Sequence, residues 1–144
     1  MKKLWLPLFT ILAIGAAILL FHGHHGRAQT ASVTLTWTAT GDDGVVGTAA
    51  SQSVRFALSR PDTTSQAAID AWWATANSAP AMPVPRIAGS AESFTFASSF
   101  QTGSTYYFLL RVCDEVPNCT YSNVASKFFP DTLPPSKIFN LFVN

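Results

Sequence analysis

Short stretches of period-two alternation, separated by turn residues, are what most limits the folds open to this chain. Residues 32–39 read Ser-Val-Thr-Leu-Thr-Trp-Thr-Ala, with Val33, Leu35 and Trp37 interleaved with threonines. Successive side chains of a strand point to opposite faces, so this stretch has one buried and one wet face. Residues 53–59 repeat the pattern with Val54, Phe56 and Leu58, and residues 91–97 with Phe94 and Phe96. Residues 106–112 are the strongest strand, with Tyr106, Phe108, Leu110 and Val112 inward. Residues 119–128 return from a hairpin loop at 114–118. Gly41, Gly44 and Gly47, then Gly103, mark turns between strands. Five or six short strands with turn signals between them predict an all-β antiparallel sandwich. Its expected core is Trp37, Phe56, Phe94, Tyr106, Phe108 and Leu110.

One stretch departs from this pattern. Residues 65–75 are alanine-rich and lack strand alternation, which predicts a short helix capped by Asp62, Thr63 or Thr64. Ile69 and Trp72 or Trp73 fall three and four apart and share a helix face. Residues 77–86 carry Pro80, Pro83 and Pro85 and form an extended loop.

The N-terminus is of a different kind. Lys2 and Lys3 precede an uncharged run of 18 residues, 4–21. That is the layout of a secretory signal, with Gly26 and Ala28 at cleavage spacing. The same run as a helix would reach about 27 Å, near bilayer thickness, so a retained anchor is the other reading. Either way the remainder lies outside the cytoplasm, secreted or at the cell surface, because the positive end stays inside. His22, His24 and His25 read as a polar spacer. Cleavage after Ala28 leaves six basic and eight acidic residues, a net charge of −2.

Composition excludes several function classes. Charged residues are only 12% of the chain and show no basic excess, so nucleic acid is not an expected partner. No histidine follows His25, so the exported part lacks an imidazole general base. Asp42-Asp43 and Asp114-Glu115 are neighbouring carboxylates on loops, not a pair facing across a substrate. The chain is therefore expected to be non-enzymatic and to need no cofactor. Asp42 and Asp43 are a candidate calcium pair, although Asp and Gly together more often serve a turn. Trp72-Trp73 is expected to pack on the sandwich as a hydrophobic staple over its edge, one ring left partly exposed; the alternative is a sugar-stacking or protein-anchoring contact. Cys113 and Cys119 stand opposite each other in a hairpin of an exported domain, which predicts a disulfide.

The order of these pieces resembles a fibronectin type III module of the bacterial secreted kind. Residues 33–39 are similar to that family's strand B, and Gly41-Asp42-Asp43-Gly44 followed by Gly47-Thr48-Ala49 to its B–C loop. Arg55-Phe56 stands where strand C carries an Arg-Tyr pair. Residues 100–106 resemble the run before strand F, residues 114–118 the F–G loop, and Ser122-Asn123-Val124 strand G. The resemblance covers about residues 32–130 and implies an immunoglobulin-like sandwich with Tyr106 as a tyrosine-corner residue. It implies a strand A as well, yet few residues separate the cleavage point from strand B. Residues 131–144 look like a linker and the opening strand of a following module.

The expected function is a non-catalytic, exported module for adhesion, spacing or protein contact. Two alternatives stand beside it. One is carbohydrate binding through Trp72 or Trp73. The other is a subunit that donates residues 138–143 as a strand to a neighbouring copy, head to tail.

Overall fold

Alternating residues pair into two antiparallel sheets. In the computed structural model, residues 27–116, 118–135 and 137 are described; the run 4–21, His22, His24 and His25, and the tail 138–144 lie outside them. Strands β1 (Ala28–Thr38) and β4 (Ala91–Gln101) form a two-stranded sheet in register over their whole length. The second sheet runs β3 (Asn77–Ser78), β2 (Ser51–Ala57), β5 (Ser104–Cys113), with β6 (Cys119–Tyr121) and β7 (Ala125–Phe129) both on the far side of β5. Helix α1 (Gln66–Thr75) lies between β2 and β3 in sequence.

The core lies between the sheets. Val33, Phe96 and Phe100 from one sheet meet Phe56, Tyr106, Phe108 and Phe129 from the other. Phe100 is fully buried, stacked on Phe129 with ring centroids 4.1 Å apart and edge-on to Tyr106 at 5.0 Å. The Tyr106 hydroxyl accepts the Gln101 N–H at 3.1 Å, so its polar tip is satisfied within the turn it packs under. Gly103 makes that turn with φ of +71°, a conformation strained for residues with a Cβ.

Several expectations need correction. Trp37, Phe94 and Leu110 point inward but are only half-buried. Trp37 and Leu110 line the open side between β1 and residues 122–125, where no described strand covers them. Leu58 is exposed, because the chain has already left β2. The helix is capped by Ser65, whose hydroxyl accepts the Ala68 N–H at 3.2 Å; Asp62 instead takes the Thr64 N–H in a turn. Strand β1 begins at Ala28, so residues 28–31 extend it along residues 98–101 and are not a separate strand A.

The returning strand is broken. Cys113 faces Cys119 and Arg111 faces Tyr121, but Phe108 faces Ala125. Three residues, 122–124, thus stand opposite two, a β-bulge. Ser122 holds it together: its N–H donates to the Leu110 carbonyl at 2.9 Å and its hydroxyl accepts the Leu110 N–H at 3.1 Å.

Both ends of the sandwich emerge side by side. The Arg27 carbonyl accepts the N–H of Thr102 at 3.0 Å, and the Phe129 carbonyl accepts that of Gly103 at 2.7 Å. We call this the end pole. The opposite, loop pole carries residues 39–50, 79–90 and 114–118.

Candidate functional site

Three loops lie at the loop pole, two of them tied to each other and the third closed on itself. Residues 41–47 close on themselves, with Gly41 N–H donating to the Gly44 carbonyl and Asp42 N–H to the Val46 carbonyl, both at 2.8 Å. A Cβ on Gly41 would collide with the Val46 backbone, so that position admits only glycine. The Ala88 N–H donates to the Gly47 carbonyl at 3.0 Å, joining the second loop to the first. The third is bound by the Cys113–Cys119 disulfide and by Asp114, whose carboxylate accepts the Asn118 N–H at 3.0 Å and its side-chain amide at 2.9 Å. The predicted disulfide is therefore present, closing a loop small enough to stabilise by about 2 kcal/mol in the chain-entropy account.

Glu92 braces this pole from within. It is buried, and its two carboxylate oxygens accept the Gln52 side-chain amide and the Arg86 N–H, each at 2.8 Å. The Gln52 amide also reaches the Pro83 carbonyl at 3.0 Å. Sequence reasoning passed Glu92 over. Its signal was a charge in phase with Phe94 and Phe96, on the inward face of β4.

What this frame presents outward is apolar. Val45, Val46, Val84, Ile87 and Val116 are 62% to 87% exposed, and all belong to these three loops. Val46 and Ile87 directly flank the Gly47–Ala88 bond. Exposed apolar clusters on otherwise polar surfaces mark contact sites. Beside them lies a cleft of about 380 Å³, lined by Thr40, Asp42, Asp114, Asn118 and Thr120 among others. The Glu115 carboxyl beside it raises the Asp42 carboxyl above the ordinary 3.8, helped by partial desolvation and by the charges of Asp43 and Asp114.

The other candidate residues stand as follows. Asp42 lies near Glu115, and no group of three or more metal-ligating side chains exists among the described residues. Trp72 and Trp73 are 8% and 5% exposed, so both pack as the expected staple and neither leaves the ring partly exposed that a stacking contact needs. The Trp72 indole N–H donates to the Ser59 carbonyl at 2.8 Å. Trp73 lies on the outer face of β2 and β5, between the guanidiniums of Arg55 (5.3 Å) and Arg111 (4.8 Å), with Tyr121 edge-on at 5.3 Å. Both rings hold the helix to the sheet.

No protein-family model matches the chain, and no curated protein or solved structure matches it either.

Proposed function

We propose that this chain is an exported, non-catalytic sandwich module of the fibronectin type III kind that works by protein contact through its loop pole. The observation that carries this reading is that five exposed apolar side chains all belong to the three loops of one pole, two loops joined by a backbone hydrogen bond and the third closed by a disulfide. Bracing lowers the ordering cost of binding, and apolar exposure supplies the driving force. The disulfide supports an oxidising compartment. The Tyr106 hydroxyl on the Gln101 N–H supports the immunoglobulin-like class, as does the strand order, with β1 and β4 where strands B and E belong and β2, β5 and β6–β7 where C, F and G belong. Contact is favoured over spacing by the position of the ends. A spacer strung between neighbours needs them at opposite poles, and here both leave the same one.

The test is photo-crosslinking in the producing cell. A photoreactive residue at Val46 or Ile87 is expected to give a discrete protein adduct, and the same probe at Thr64, next to the helix, none. Equal labelling at all three positions would contradict a dedicated contact pole.

A further inference from the structure

The backbone of β1 has a directed, unused side. Ala39, just beyond its end, donates its N–H to the Ser90 carbonyl at 2.8 Å and accepts the Gly89 N–H at 3.0 Å. Odd-numbered residues of β1 therefore turn their backbone groups to β4, since ladder bonds alternate along an antiparallel pair. Ala28, Thr30, Ser32, Thr34, Thr36 and Thr38 turn theirs outward. Among the described residues only the Ser32 carbonyl has a partner there, the Lys127 ammonium at 3.2 Å, reaching across from β7. From Thr34 to Thr38 the edge has none among the described residues. This stretch borders an apolar cleft of about 100 Å³ that opens into the core between Leu35, Trp37, Phe108, Leu110 and Ala125. An unpaired edge and an open apolar cleft lie side by side, with the shape that β-augmentation fills.

We propose that this slot is filled by residues 138–143 of a second copy of the chain, running antiparallel to β1. The proposal rests on the protein-contact reading, for which it names the partner. Residues 138–143 carry no charge; as a strand they would put Phe139, Leu141 and Val143 on one face and Ile138, Asn140 and Phe142 on the other, all apolar but Asn140. A six-residue strand covers about 20 Å, enough for the stretch from Thr34 to Thr38. The edge is equally free of charge apart from Lys127, below the cleft. Geometry selects another copy over the chain itself. A tail leaving β7 departs from the end pole, where β1 begins, so within its own molecule it would enter the slot parallel to β1. Residues 130–137 include Pro130, Pro134 and Pro135, and their described members are all exposed. Such a segment is extended and stiff, about 25 Å long, and carries the tail outward. Arriving at a neighbour's loop pole, it enters antiparallel and sets the donor copy against that pole. The contact is head to tail, so it propagates as an open chain.

Two variants separate donor from acceptor. Thr36→Pro removes only an outward N–H, which proline tolerates on an edge strand, and leaves the pairing with β4 intact. Leu141→Asp spoils the tail without touching the sandwich. Full-length copies carrying different tags are purified in one mild detergent and sized by light scattering. Wild-type mean mass is expected at least to double from dilute to concentrated solution. Each variant alone stays at one copy, and their equimolar mixture stops at two, pairing a Thr36→Pro donor with a Leu141→Asp acceptor. A wild type that stays monomeric overturns the proposal, as does a Leu141→Asp chain that assembles like wild type or a mixture that stays monomeric. A monomeric wild type that still gives a Val46 adduct with a different protein would remove strand exchange and leave the contact reading standing.

Discussion

Asp42 shows how one carboxyl can report on the meeting of two loops. Its pKa is raised in the folded state, first by the neighbouring Glu115 carboxyl. A raised folded pKa means the folded protein holds the proton more tightly than the unfolded chain does. The resulting stability is present at acid pH, below the ordinary aspartate value, and is lost as pH rises through the folded value. Asp42→Asn keeps a hydrogen-bonding side chain and cannot ionise. It is expected to match wild type in thermal melts near about pH 3.5 and to be the more stable protein near about pH 7. An advantage that does not grow with pH would contradict the raised Asp42 pKa. At this same scale sequence reading had mixed success. The disulfide was legible because a hairpin fixes which residues face each other. Glu92 was not, because a lone charge in an apolar stretch shows its partners only after folding brings Gln52 and Arg86 to it. Trp37 faces inward as alternation requires, yet alternation reveals direction and not whether anything covers the ring.

Helix α1 is the element whose purpose the sequence left open. Ile69 and the two tryptophans showed which face would be apolar, but not which surface would receive it. The answer lies on β5, where Leu109 is buried although it points away from the sandwich core. A period-two reading assigns that position to the wet face and misses it, because the covering helix comes from distant sequence. Trp73, between two guanidiniums and against Tyr121, is the anchor. Trp73→Ala is expected to cost about 3–5 kcal/mol in denaturant unfolding, from the lost ring and the cavity it leaves. A loss below about 1 kcal/mol would mean the helix merely rests on the sheet. The bulge at 122–124 belongs to this scale too. Residues 119–128 read as one strand, since one extra residue leaves no mark on composition and shows only as a change of register.

For the whole molecule, the sequence disclosed the antiparallel two-sheet class, and it raised the question of a first strand. It could not show that both ends would sit together, which depends on residues 28–31 joining β1. That arrangement has a mechanical meaning. Inter-strand hydrogen bonds lie across the strands. Tension drawing Arg27 and Phe129 apart therefore meets them singly, peeling β1 from β4 and β7 from β5 rung by rung. Tension between Phe129 and a point on the loop pole, such as Val46, runs along the strands and loads many rungs together. Single-molecule stretching is expected to open the first attachment at clearly lower force than the second, and equal forces would contradict the peeling geometry. A module built this way resists pulls on its loops and yields to pulls on its ends, like a zipper fixed at its closed side.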